Sequence, residues 1–271
     1  MHLFTFSVHD LQNFGFIPTE DARSYGDSTF ASMMYAKLIS VHLLIHLGYN
    51  VLFQDIDVIW YKHPLVSGVF TDPTSNLIDF DMLFQDDGGH AREYAPYSGN
   101  SGFYYVRNNE RTRYFFTQFL YNGALVFQLR SHQQLMNTLM SEHASLFGLK
   151  VKVLNTYDFP GGQCYHHKKN FMRSVVKKER VPFIFHMNWT LNKDSKIRFM
   201  KQMGMWYLEE RCTENTVGEM PNDAKISLTD TCCANDAIIS CYYRDKPSVI
   251  DCSASDAMDE GRPSFWEDID D

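Results

Sequence analysis

The segment VLFQDID, residues 51 to 57, ends an apolar run in two carboxylates one residue apart, Asp55 and Asp57. Two hard oxygen donors at this spacing suit Mn²⁺ or Mg²⁺, whose remaining positions phosphate oxygens and water can fill. In an extended segment both carboxylates would face one side while Ile56 packs on the other. A plainer reading is that Asp57 only caps or hydrogen-bonds the following turn. The apolar run before the pair and VIWYKHPL after it favour the metal reading.

Elements able to position such a pair are legible on either side of it. From about Thr29 to Leu47, Phe30, Met33, Met34, Lys37, Leu38, Val41, Leu44 and Ile45 recur at helical spacing, with Asp27 or Ser28 to cap the start and Gly48 to end it. The strand-length run at 51 to 55 follows at once. A helix feeding a buried strand by a tight turn is the style of an open parallel sheet, where ligands lie beyond the carboxyl ends of the strands. Further strands are expected at 81 to 85, 103 to 106, 151 to 154 and 182 to 186, and helices at 111 to 121, 132 to 143 and 194 to 206. The expectation is an α/β sandwich over residues 1 to 211, followed by a Cys-rich, acidic extension over 212 to 271.

A chain of 271 residues with 44% hydrophobic residues can bury a substantial core. Its net charge of −8 and pI near 5.7 argue against nucleic acid or an anionic membrane surface as partner. A phosphate-bearing ligand would therefore need a local positive device, a metal or a few placed cations. No run of 18 apolar residues occurs and MHLFTFSVHD lacks the build of a signal peptide, so membrane attachment is expected only through an anchor outside this chain. Of six cysteines, Cys212, Cys232, Cys233, Cys241 and Cys252 crowd the polar tail. They point to disulfides in an oxidising compartment, with 15 pairings open if all six join. Zinc is the competing reading, with no CxxC pair to support it.

The run YGDSTFASMMYAKLISVHLLIHLGYNVLFQDIDVIWYKHPL (25 to 65) closely resembles the nucleotide-diphospho-sugar transferase family that includes rhamnogalacturonan xylosyltransferases and extensin arabinosyltransferases. NSGFYYVRNN (100 to 109), HQQLMN (132 to 137), FPGGQCY (159 to 165) and FHMNW (185 to 189) fit the same family in order. The resemblance implies a GT-A-like, Rossmann-like α/β/α sandwich, a nucleotide-sugar donor (a UDP-sugar), a glycan or glycoprotein acceptor, and transfer with retention. Carried onto this chain, it makes Asp55 and Asp57 the metal and diphosphate motif. It makes Lys37 the helix lysine that approaches the donor, unless Lys37 merely snorkels at the surface. Asn100, Ser101 and Gly102 become a loop whose glycine lets backbone approach the sugar, or an ordinary turn. His186 and Asn188 resemble the late histidine motif, where imidazole completes the metal shell or touches diphosphate; the alternative is a satisfied core histidine.

Two departures from the family pattern stand out. His132 followed by Gln133 occupies the place of an acidic residue followed by Gln, and Asp86 and Asp87 could supply that missing charge or form a solvated turn. The first strand of such a fold is not recognised in the sequence. A non-catalytic member that binds sugar nucleotide or glycan stays open, as does a haloacid dehalogenase-type phosphohydrolase with Asp55 as nucleophile. The Golgi lumen or another secretory compartment is the expected location. Asn188 lies in an Asn-Trp-Thr sequon and is expected to be unmodified, because a place beside the metal leaves no room for a glycan.

Overall fold

The computed structural model describes residues 22–23, 25–63, 68–190, 193–209, 212 and 232–238. They form two compact units, one of residues 1–165 and 181–192, the other of 166–180 and 193–271. Residues before 22, where no first strand is recognised in the sequence, lie outside the described residues, as do 210–211 and 213–231 on either side of the expected 211/212 boundary.

In the first unit, helix α1 (Ser28–His46) starts where the carboxylate of Asp27 accepts from the Phe30 amide at 2.7 Å, satisfying one of the first-turn donors. It stops at Gly48, whose φ of 95° is cheap only for glycine. Met34, Leu38, Val41 and Ile45 form its buried stripe. The helix is long and apolar enough to cross a membrane, but that stripe belongs to the core cluster, so it reads as a core helix.

The main sheet has strands in the order β1 (Val51–Gln54), β4 (Gly99–Val106), β3 (Met82–Asp86) and β5 (Val151–Val153). The expectation of a parallel sheet is corrected here. β4 runs antiparallel to both β1 and β3, and only β3 and β5 are parallel. The helix-then-strand pattern at 28 to 54 does not fix the direction of β4, a partner that arrives 45 residues later in the chain, at Gly99. A second sheet pairs β2 (Val58–Trp60) with β6 (Ile184–His186), antiparallel.

Alternation along the strands sends side chains to two cores. Met82, Phe84, Tyr104 and Val106 pack with α1, with Phe115, Phe116 and Phe119 of α2 (Glu110–Tyr121), with Val126 of the short α3 (Ala124–Leu129), and with Leu135, Met136, Leu139 and Met140 of α4 (His132–Phe147). Leu83, Phe103 and Tyr105 face the other way, onto Val58, Phe70, Leu154, Phe159 and Ile184. Each fully buried Phe contributes roughly 1.5–3 kcal/mol. In this unit, helices cover one face of the sheet and the β2–β6 pair covers the other. The architecture is mixed α/β, consistent with the GT-A-like class expected.

Helix α5 (Gly162–His167) starts in the first unit, whose continuous part ends at Tyr165. The second unit holds α6 (Lys169–Val176), α7 (Lys193–Gln202) and a pairing of 206–209 with 232–238, closed by a Cys212–Cys232 disulfide. Among the described residues Cys233 is an exposed thiol and Cys164, in the first unit, a buried one. Cys241 and Cys252 lie outside the described residues.

Candidate active site

Asp55 and Asp57 occupy the junction of the two sheets. Asp55 follows β1, and its amide donates to the carbonyl of Gly102 at 2.7 Å, one step beyond the β1–β4 ladder. Asp57 precedes β2, and its carbonyl accepts from the Met187 amide at 3.1 Å, one step beyond the pairing of Val58 with His186. Between them the chain turns instead of continuing extended, and Ile56 is fully exposed at 103% relative accessibility. The expected inward packing of Ile56 is thus corrected. A turn between two sheets, not strand alternation, brings the carboxylates together. Trp60 Nε1 donates to Gln54 Oε1 at 2.7 Å and ties the two arms of that turn.

One donor atom each from Asp55, Asp57 and His186 lies within 4.8 Å of the others. His186 ends β6, with Nε2 3.4 Å from Asp57 Oδ1 and Nδ1 2.7 Å from Gln85 Oε1. Two carboxylates and an imidazole are a donor set that Mn²⁺ or Mg²⁺ accepts, and glycine at 102 lets the β4 backbone pass close to two of them. A Cβ at Gly102 would come 2.5 Å from His186 Cε1 and 2.8 Å from Asp55 Oδ2. The residues fit a divalent cation. Lys37 reaches in from α1, its Nζ 2.5 Å from Asp55 Oδ1, so it points at the site and does not merely snorkel.

Asn100, Ser101 and Gly102 are not a loop, as expected, but part of β4. They lie where the β3–β4 register breaks, with Phe84 opposite Tyr104 but Asp86 opposite Gly99. Small polar residues and glycine read locally as a turn; the Asp86–Gly99 pairing, the Asp55 amide on the Gly102 carbonyl and Gln133 on Ser101 override that preference and leave an arch where the register shifts. Asn100 donates to Asp87 Oδ1 at 2.7 Å and accepts from the Gly102 amide at 2.7 Å. Gln133, in the first turn of α4, accepts from the amide and hydroxyl of Ser101 at 3.0 and 3.1 Å. One turn on, Asn137 makes paired bonds with the backbone of Gly99 at 2.8 and 2.9 Å, so α4 is fastened to the arch at two points.

Asp87 is buried, and burial pushes its carboxyl above the ordinary range; hydrogen bonds from Asn100 and Gln133 and the nearby His186 work against that. Asn188 adds a longer contact to Asp87 at 3.4 Å, while its side-chain oxygen accepts from the Gly162 amide. Both ends of the sequon asparagine are thus engaged. Asp86 turns elsewhere, accepting from the Gly88 amide at 2.8 Å and from Thr156 at 3.0 Å, with His90 at 3.2 Å. His132 is buried against the ring of Phe119, at 6.4 Å between centroids. The structure therefore brings together Asp55, Asp57, His186, Lys37, Asn100, Ser101, Gly102, Asp87, Gln133 and Asn188, and turns the side chains of Asp86 and His132 to other partners.

Sequence reasoning missed Gln85, Asn137 and the pair Gly161–Gly162. A lone glutamine in the apolar run DMLFQ was the available signal, because a buried amide must find partners. The glycines leave no room for a side chain: a Cβ at Gly161 would meet Asn188 Oδ1 at 2.7 Å, and one at Gly162 would overlap the Asn188 carbonyl.

The family model described as nucleotide-diphospho-sugar transferase matches residues 7–200. The chain belongs to this family. That assignment removes the ground for the phosphohydrolase reading. Among curated proteins the chain is similar to a UDP-galactose:fucoside alpha-3-galactosyltransferase of Dictyostelium discoideum, at 26% identity over 72% of this chain and 31% of the relative. It is also similar to a beta-arabinofuranosyltransferase, RAY1, of Arabidopsis thaliana, at 25% identity over 67% of this chain and 35% of the relative. A UDP-D-xylose:L-fucose alpha-1,3-D-xylosyltransferase 1 of the same plant is 20% identical over 75% of this chain and 58% of the relative. The chain thus spans less than two thirds of the length of each. No solved structure matches it.

Proposed function

We propose that this nucleotide-diphospho-sugar transferase family member is a glycosyltransferase that moves a sugar from a UDP-sugar to a glycan or glycoprotein hydroxyl, with retention. Asp55, Asp57 and His186 would hold Mn²⁺ or Mg²⁺. The observation that carries the reading is the convergence of those three donors within 4.8 Å. A divalent ion there would supply Lewis-acid neutralisation of the departing diphosphate. Lys37 adds a fixed positive charge at the same place, which an acidic chain needs in order to attract phosphate. Asp87, gripped by side-chain amides, offers negative charge to an oxocarbenium-like sugar, the role that an acid at position 132 would otherwise fill. In a retaining transfer the leaving phosphate can take the acceptor proton, so no side-chain base is required. The Cys212–Cys232 disulfide supports an oxidising compartment, and we infer the Golgi lumen.

Replacing Asp55 or Asp57 by Asn should leave the fold intact and cut donor hydrolysis, assayed with a panel of nucleotide sugars, on the order of a hundredfold or more. UDP affinity by calorimetry should fall in the same variants with Mn²⁺ and change little with EDTA. Wild-type activity and metal-dependent affinity in both variants would sink the assignment. One observation favours a second reading, a non-catalytic binding member: the site's family acid is here a buried histidine, His132. Metal-dependent UDP binding with no turnover of any donor would select it.

A further inference from the structure

Gln85 is 0% exposed in β3, a polar side chain in the midst of Leu83, Phe84 and their neighbours. Its Nε2 donates to the carbonyl oxygens of Phe159 and Pro160, each at 3.0 Å. Its Oε1 is 2.7 Å from His186 Nδ1. Turning the amide over would set its oxygen against two carbonyl oxygens, so backbone, not the histidine, decides which way it points. An amide oxygen only accepts hydrogen bonds, so the proton of the neutral imidazole sits on Nδ1. Nε2 is left with its lone pair, and Nε2 is the nitrogen that faces Asp57.

The strap that holds Gln85 also holds the histidine. The Pro160 carbonyl accepts from the His186 amide at 3.1 Å as well as from Gln85, and Gly161 bridges to His186. Ring position and amide position are therefore fixed by one segment, FPGG, in which a side chain at Gly161 would strike Asn188. In water the Nε2–H form of a histidine is the commoner tautomer. That form would aim a proton, not a lone pair, at a site lined by Asp55 and Asp57.

We propose that Gln85 is a positioning residue that holds His186 in its Nδ1–H tautomer, so that Nε2 is a ready cation ligand. The proposal rests on the reading of Asp55, Asp57 and His186 as a cation site. Outer hydrogen-bond partners of ligating histidines commonly act in this way, and their loss typically costs about ten- to hundredfold in metal affinity.

The test begins with the metal-free protein labelled with ¹⁵N-histidine. Two-bond ¹H–¹⁵N correlation spectra report the tautomer, with the His186 signals assigned by their loss in His186→Gln. Wild type should show protonated Nδ1 and bare Nε2; Gln85→Met should move His186 toward the Nε2–H form. Gln85→Glu, taken in its protonated form so that its hydroxyl still donates to the Phe159 or Pro160 carbonyl while its carbonyl oxygen accepts from Nδ1, should restore the wild-type pattern. Mn²⁺ affinity in the presence of UDP, followed by electron paramagnetic resonance, should fall about ten- to hundredfold in Gln85→Met and recover toward wild type in Gln85→Glu. An Nε2–H tautomer in wild type, or an unchanged one in Gln85→Met, would overturn the proposal. Should Gln85→Met fail to fold, the wild-type tautomer and the Gln85→Glu spectrum decide it. A wild type with the Nδ1–H form that binds no Mn²⁺ would instead bring down the cation site itself, with the hydrogen-bond assignment intact.

Discussion

His132 is 2% exposed and neither ring nitrogen has a hydrogen-bond partner among the described residues. Burial, aided by the positive charge of Lys37, holds its imidazole at about 3 instead of its ordinary 6.5. The folded chain therefore keeps this ring neutral at pH values where the unfolded chain protonates it. The stability it supplies is fully present above pH 6.5 and is lost as the pH falls toward 3. The slope is about 1.4 kcal/mol per pH unit in that window. His132→Phe keeps a ring against Phe119 and removes the titration. Urea unfolding at pH 7, 5.5 and 4.5 should show wild type losing ground to the variant as the solution turns acid; a constant difference would mean that the ring is solvated or paired. At this scale the sequence shows the carboxylate pair through its spacing, and His186 only through the resemblance of FHMNW to the family's late histidine motif. It does not show Gln85, whose partners lie 74, 75 and 101 residues away.

At the scale of elements, what the sequence shows is local order. Helix α1, its Asp27 cap and its Gly48 stop follow from periodicity and end chemistry alone. The arch of β4 does not, since Asn100, Ser101 and Gly102 are held by distant groups, the Asp55 amide on the Gly102 carbonyl and Gln133 on Ser101. The three-residue strand β2 and the short helices α3, α5 and α6 likewise give too little periodic signal to stand out. Gly102 links this element to the chemistry. An added Cβ would press on His186, which Gln85 and the 159–161 strap keep from retreating. Gly102→Ala should destabilise the protein by about 1–3 kcal/mol, the usual cost of overpacking a tight site. It should also weaken Mn²⁺–UDP binding at least tenfold, because the three donors would spread apart. Full affinity in a folded Gly102→Ala protein, measured by calorimetry, would show that the donors do not need this close approach.

Over the whole molecule, a net charge of −8 would have to meet the proposed ligand, which is itself an anion. Composition predicts that UDP alone is repelled, and the site supplies one lysine against Asp55, Asp57 and Asp87. Nucleotide and cation should therefore bind as a pair, each making room for the other's charge, so their effects on unfolding should be strongly non-additive. A ligand that binds only the folded state at a hundred times its dissociation constant stabilises by about 2.7 kcal/mol. For a domain of this size that corresponds to a rise in Tm of roughly 5 to 10 °C. Thermal unfolding with Mn²⁺ alone or with UDP and EDTA should shift little, and with both together should shift by that amount. Asp57→Asn should erase the joint shift while leaving the unliganded Tm near wild type. If UDP stabilised the chain equally with and without the metal, fixed side-chain charge would be holding the phosphates, and the role of Asp55, Asp57 and His186 would pass to Lys37.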